Sequence, residues 1–295
     1  MTMADLLLAA LVRAQIGAAL AIVVVLLLRG PARMVIGAEL SYRLWSAAPV
    51  AAVVGLFPTL SDSRHGYPIT LLTPPAHAGL LLQYWAAGAA AMVALMALSE
   101  LRFRRLASRG KAGPAVMGLS WPRIIIPQDY EQRFTAAERD LILRHERTHI
   151  ARRDPGANLF IAAMQVVGWF NPLVHVAARC ARLDQELACD AAVVECRPEL
   201  RRDYGATLLK AHAATPSSPF ACGWSPPGRH PLEIRLSMLA RPPLSLPNYI
   251  RGAMAVALTA FVVGVVVWSV APAGYSGETF VWRQPPAIVY ANLAP

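Results

Sequence analysis

Residues 141–153, LILRHERTHIARR, decide how this chain is read, because they contain His145-Glu146-Arg147-Thr148-His149. A helix is predicted to begin just upstream. Thr135 stands as its N-cap with Glu138 three residues on, the reciprocal pair of a capping box, and Asp154-Pro155-Gly156 stops it. Asp154 is expected to cap the next helix, with Pro155 in its first turn. On such a helix, histidines four residues apart share a face and can offer imidazole nitrogens to one tetrahedral Zn²⁺. The intervening Glu146 then reaches the open position of the metal, where a bound water needs a base. The competing reading is a pair of surface histidines on a basic helix.

Two histidines leave such a site too open, so a third protein ligand is needed. The segment after Asn171-Pro172 reads as one helix to about Glu195, and it carries Glu186 and Asp190 four apart on one face. Glu186 is the expected ligand, and Asp190 is expected to hold the ring N–H of a ligating histidine. The alternative is a solvated acidic face, a role that suits Asp184 and Glu195 better. His175 and Arg179 point within about 20° of Glu186, but the helical rise sets them roughly 16 and 10 Å away. They are therefore expected to line the same groove without ligating. The oxyanion donor is left open among Tyr204, His175 and Arg179. His65, His77, His212 and His230 have no partners in sequence and are read as incidental.

The motif is set in the composition of a membrane protein. Of 295 residues, 56% are hydrophobic and only 16% charged, with a mean hydropathy of +0.41, where a soluble domain is roughly 25% charged. A disordered chain is excluded by the same figures, and a disulfide-rich module by having only four cysteines. Four stretches are apolar enough to cross a hydrocarbon core of about 30 Å as helices: 6–28, 44–60, 79–98 and 252–271. The first has no basic n-region and no cleavage site, so it is read as a retained span. The segment 158–170 is apolar but too punctuated by polar residues to count as another.

Loop charge sets the expected topology. Arg29, Arg33 and Arg43 follow the first span, and Arg102, Arg104, Arg105, Arg109 and Lys111 follow the third. The loop between spans two and three holds only Asp62 and Arg64, and the tail after span four only Glu278 and Arg283. The positive-inside rule then gives a multi-pass protein with the large loop in the cytosol and both termini outside. The expected organisation is three spans in 1–100, a cytosolic zinc peptidase domain in 101–249, a fourth span in 250–272 and an extracytoplasmic tail in 273–295. The cytosolic domain holds 21 basic and 13 acidic side chains, contributing +8 of the net +10. Anionic lipid or an acidic partner suits that surface; direct nucleic-acid binding is not expected, because the arginines are dispersed and no recognition motif accompanies them.

Within the domain, 115–119 and 123–126 read as a β-hairpin around Ser120-Trp121-Pro122, whose edge near Ile124 to Ile126 could take a substrate strand. Cys180, Cys189, Cys196 and Cys222 match no zinc-ribbon spacing and are read as small buried hydrophobes. A transporter is disfavoured, because no Gly/Pro-broken pair of repeats is visible.

The order of these features resembles the BlaR/MecR family of integral-membrane metallopeptidases, the beta-lactam sensor-transducers and their relatives. The likeness covers residues 1 to about 272: three spans, a hairpin ending in IIIP, HERTHIARRD, WFNP, QELACD, the RRDYGATLL stretch, and PLEIRLSML before a fourth span. It implies a mostly α membrane protein with a gluzincin-like domain, in which His145, His149 and Glu186 bind zinc, Glu146 is the general base and Asp190 supports the ligands. It also implies a protein substrate, with a cytosolic winged-helix repressor as the candidate. Sensors of that family continue with a penicillin-binding domain, which the 23 residues after position 272 do not carry, so beta-lactam sensing is not expected of this chain. An SxxK at Ser108 to Lys111 lacks its SDN and KTG companions and is read as a chance match. The rival from another class is a non-proteolytic transducer or scaffold whose zinc only staples helices. Oligomeric state is not legible.

Overall fold

The computed structural model describes residues 2–56, 77–119, 121–213, 230–242 and 244–270. Helix α1 (Met3–Val35) starts at a capping box between Thr2 and Asp5 and runs on through Pro31. It therefore carries Arg29 and Arg33 beyond its apolar stretch. Gly37 takes φ +78, a left-handed conformation open to glycine, and lets the chain turn into α2 (Gly37–Arg43). A 3₁₀ turn at Leu44–Ser46 leads into α3 (Ala47–Val54), which lies back along α1. The approach is close: a Cβ on Gly17 would sit 2.7 Å from the Ala51 carbonyl oxygen and 2.8 Å from Val267. Small residues at helix interfaces allow this kind of packing in membranes, and Ala18, Ala21, Ala47, Ala48 and Ala51 are all buried.

Helices α4 (Ala78–Ser108) and, near the end of the described chain, α11 (Leu246–Val270) complete the apolar part. Among the described residues three helices are long and apolar enough to cross a membrane: Met3–Val35, Ala78–Ser108 and Leu246–Ser269. The expected span 44–60 is not one uninterrupted helix. It opens as the 3₁₀ turn and continues as the eight residues of α3, with Pro49 in that helix's first turn; residues 57–60 lie outside the described set. Arg102, Arg104 and Arg105 of the basic cluster after span three lie in a helical continuation of α4, while Arg109 and Lys111 follow its end at Ser108.

Strands β1 (Ala115–Met117) and β2 (Arg123–Ile125) pair antiparallel, Ala115 opposite Ile125, as the hairpin reading requires. After α5 (Tyr130–Arg133), the capping box of Thr135 and Glu138 opens α6 (Ala136–Ala151), the helix of the HExxH motif. Arg153 then adopts φ 59 and turns the chain into α7 (Asp154–Val167). Asp154 makes no cap there; it is the first residue of α7 and its carboxylate points back to α6, a correction to the sequence reading. Next comes α8 (Pro172–Cys196), capped by the Asn171 side chain on the Leu173 N–H. It is followed by α9 (Arg201–Ala213) and α10 (Pro231–Leu239).

One hydrophobic cluster, Leu141, Val193, Val194, Tyr204 and Leu239, ties α6, α8, α9 and α10 together. Full burial of each such aliphatic side chain is worth about 1.5–3 kcal/mol. This cluster fixes the distance between α6 and α8, on which the polar residues beside it depend.

Candidate metal centre

Helix α6 turns Leu141, Ile142, His145 and Glu146 inward. His145 and His149, one turn apart, bring their Nε2 atoms to 3.1 Å of each other. From α8, the Glu186 carboxylate closes on the pair, with Oε2 3.4 Å from His145 Nε2 and Oε1 3.5 Å from His149 Nε2. The structure thus brings His145, His149 and Glu186 together, and Glu146 sits buried on the same face of α6.

The other ring nitrogen of each histidine is engaged. His149 Nδ1 lies 2.6 Å from Asp154 Oδ2. A carboxylate can only accept, so Nδ1 carries the proton there. His145 Nδ1 lies 2.8 Å from the Tyr204 hydroxyl, which itself donates to Asp190 Oδ1 at 2.7 Å. Tyr204 has one proton and spends it on Asp190, so His145 Nδ1 must donate to the Tyr204 oxygen. In neutral rings both Nε2 atoms are then bare lone pairs, facing each other and a carboxylate. Three acceptors converging on one point repel one another unless a cation lies between them.

Arg235, on α10, clamps the carboxylates from behind. It donates to Asp190 through Nε at 2.8 Å and through a terminal nitrogen at 2.7 Å, and a second terminal nitrogen is 3.1 Å from Glu186 Oε2. With no cation between them, the histidine rings can instead be protonated; burial then works against the Glu186 charge, but the hydrogen bond from His145 and the Arg235 and histidine charges outweigh it and hold the carboxyl at about 2. Glu146 goes the other way: burial pushes its carboxyl up, partly countered by both histidines, and Glu186 adds to the rise. Burial lowers His149, yet its hydrogen bond to Asp154 and the nearby Glu186 charge raise it overall.

Cys189 complicates the ligand set. One donor atom from each of His145, His149 and Cys189 fits within 4.8 Å, a grouping that could also hold a metal. Its Sγ, however, lies 3.4 Å from His145 Nδ1 and contacts the His145 carbonyl, on the side of the ring away from the other Nε2. Burial, with Asp190 and Glu186 close by, pushes its thiol far above the ordinary value, so a thiolate at this position would need a metal to stabilise it. Of the other cysteines, Cys180 is half-buried and Cys196 exposed, which corrects the reading of all four as buried; Cys222 lies outside the described residues.

Several expectations are corrected. Asp190 reaches His145 chiefly through Tyr204, its own oxygen being 3.5 Å from Nδ1. Tyr204 is thereby occupied on the Nδ1 side of His145, opposite the Nε2 that faces Glu186, so it is not placed as an oxyanion donor. His175 bonds the Trp169 carbonyl and Gln165, away from the centre. Asp184 is fully buried, bonded by Arg29 at 2.9 Å, Arg33 at 2.6 Å and the Trp45 indole at 2.7 Å. Read from sequence, Asp154 has only the role of a helix cap and Arg235 has none. An Asp five residues past the second histidine, at the start of the next helix, was the available signal for the first; nothing local pointed to the second.

A mostly helical chain with, among its described residues, three helices long and apolar enough to cross a membrane and a cluster that could hold a metal ion defines the class. The chain belongs to the BlaR1 peptidase M56 family, whose model matches residues 9–76 and 106–239. It is 35% identical over 116 residues to the regulatory protein BlaR1 of Bacillus licheniformis, covering 38% of this chain and 19% of that protein. It is 29% identical over 99 residues to the methicillin resistance mecR1 protein of Staphylococcus aureus, covering 33% of this chain and 17% of that protein. The match thus spans under a fifth of the length of these relatives. No solved structure matches.

Proposed function

We propose that the chain is an integral-membrane zinc endopeptidase acting in regulated proteolysis, with zinc held by His145, His149 and Glu186. One observation carries this reading: two Nε2 lone pairs and a carboxylate converge with both Nδ1 protons already committed. The three separations of 3.1, 3.4 and 3.5 Å are short enough for the three side chains to share one divalent cation. Zinc held there would supply an acidified water and a polarised scissile carbonyl.

Glu146 does the proton chemistry. Its raised carboxyl makes it a stronger base, which takes a proton from the attacking water and later delivers it to the leaving amine. Asp154 and the Tyr204–Asp190 pair hold the two rings in the tautomer that keeps both Nε2 atoms free. The open edge of the two-stranded sheet near Ile124 and Ile125 can take a substrate as an added strand. A cytosolic repressor is the proposed substrate class, in line with the regulatory role in the name of the B. licheniformis relative. We place the centre on the cytosolic side, with residues 44–60 as a further span, on the strength of the Arg clusters after spans one and three.

Glu146→Gln separates catalysis from metal binding. It retains shape but cannot take a proton at neutral pH, so turnover should fall by about 10² to 10⁴ with metal content unchanged. Matched fragment patterns by mass spectrometry from cells overexpressing each form, at equal zinc content, would remove the peptidase reading and leave a zinc-stapled scaffold.

A further inference from the structure

We propose that α7 and the first half of α8 form a re-entrant hairpin, dipping into the hydrocarbon layer from the side of the metal centre and returning to it. The partner of this surface is lipid acyl chain. From Pro155 to Ala178 the sequence runs 24 residues without Asp, Glu, Lys or Arg. Neither leg is long enough to cross. The 14 residues of α7 span roughly 21 Å, and apolar helices of about 10–14 residues suit re-entrant segments.

Two spans fix how deep the tip lies. On α1, Gln15 meets the turn: its Oε1 would be 2.7 Å from a Cβ on Gly168, and Asn171 reaches it at 3.5 Å. On α4, the Trp85 indole donates to the Val167 carbonyl at 2.9 Å, and the Trp169 indole returns a bond to the Trp85 carbonyl at 3.1 Å. Gly88 leaves room for the Trp169 ring, since a Cβ there would be 2.2 Å from it. Gln15 and Gly88 lie near the centres of the apolar stretches 6–28 and 79–98. The opposite end is fixed too, because Arg29 and Arg33 of α1 hold Asp184 of α8. Arg29 to Gln15 and Asp184 to Asn171 each cover about 20 Å of helix, and Ala21, Ile22, Val174 and Ala177 pack between these points.

The turn has the bonding that hydrocarbon demands. Backbone groups there find no water, so irregular structure is tolerated only when protein satisfies it. Besides the two indole bonds, His175 Nε2 donates to the Trp169 carbonyl at 2.9 Å, and the Asn171 N–H donates to the Gly168 carbonyl at 2.8 Å. The outer surface is apolar: Leu159, Phe160, Val167, Phe170 and Val176 are 38–55% exposed. Its base is polar, where Asp154 holds His149. The hairpin therefore sets the metal centre at the membrane boundary rather than in a freely soluble domain.

The test uses the full chain in phosphatidylcholine/phosphatidylglycerol liposomes, with a fluorescent amino acid at Phe170 and, as a control, at exposed Arg147 on α6. Spin-labelled phospholipids carrying the quencher at mid-chain or at the head group are compared with aqueous iodide. Quenching at Phe170 should be several-fold stronger from mid-chain than from the head group or iodide, whereas Arg147 should respond to iodide. If the Phe170 form does not fold, judged by its metal content, Val176 on the returning leg replaces it. Stronger quenching at the hairpin by iodide or the head group overturns the proposal. So does shielding from all three quenchers, as a protein partner covering the patch would produce.

Discussion

Asp154→Asn tests whether the orientation of His149 is set from outside the metal. The Asp154 carboxylate, 2% exposed, accepts the Nδ1 proton at 2.6 Å. Asparagine keeps the shape but offers a neutral acceptor. A hydrogen bond to a charged group is worth about 1.5–3 kcal/mol and a neutral one about 0.5–1.5, so the loss is about 1–2 kcal/mol. That corresponds to metal binding weaker by about 5 to 30-fold, near the usual effect of removing a group that orients a ligand. The pH dependence adds a signature. Asp154 also raises the His149 pKa, so in the wild type protons compete with metal from a higher pH downward; the variant loses part of that competition. The deficit should thus be largest at alkaline pH and narrow as pH falls. The assay is chelator competition on detergent-purified protein, with Asp140→Asn, an exposed partner of Arg144, as control. Binding by Asp154→Asn within about twofold of wild type at alkaline pH, or an equal loss in the control, would refute the reasoning.

Glu186→Ala should lose metal by orders of magnitude, against about 10 to 100-fold for Asp190→Asn; full metal in Glu186→Ala, measured by elemental analysis, would move the third ligand elsewhere. Asp184→Asn should leave metal binding in the folded fraction intact but destabilise the protein by about 3–5 kcal/mol, because Arg29 and Arg33 lose their buried partner; an unchanged thermal midpoint in detergent would contradict this. A cysteine introduced at Ser108 should resist an impermeant thiol reagent in intact cells while one at Ser63 reacts; labelling at Ser108 reverses the assigned orientation.

What could be read in advance was what a helix states locally. The capping box at Thr135 and Glu138 and the HExxH face depend on residues within a turn or two of one another, and both are present in the structure. The same holds for Asn171-Pro172 as the start of α8. The second span is harder: the apolar run 44–60 says nothing of the 3₁₀ turn at Leu44–Ser46, a change of about 20° of rotation per residue that hydropathy does not register. Asp154 was assigned to the wrong neighbour because an acid before Pro-Gly has two uses, and the left-handed turn at Arg153 decides between them. Arg235 could not be placed, since it reaches Asp190 across 45 residues of sequence.

Helix α8 shows why one acid was placed and another misplaced. At 100° per residue, Glu186 and Asp190 point within about 40° of each other, while Asp184 lies about 160° away from Glu186. Periodicity therefore separates two faces correctly, one turned to α6 and the other away from it. The second face suggests solvent only if nothing else covers it. Here α1 does not end with its apolar residues at Leu28 but continues to Val35, and the added turns bring Arg29 and Arg33 over Asp184. One rigid helix thus presents Glu186 to the histidines and, two residues earlier, is anchored by an ion pair to a membrane-spanning helix. A displacement of α1 along its axis would have to break that buried pair or carry Glu186 with it. Breaking it strands two arginines in a buried site, the costlier outcome, so the position of the carboxylate is mechanically tied to the first span.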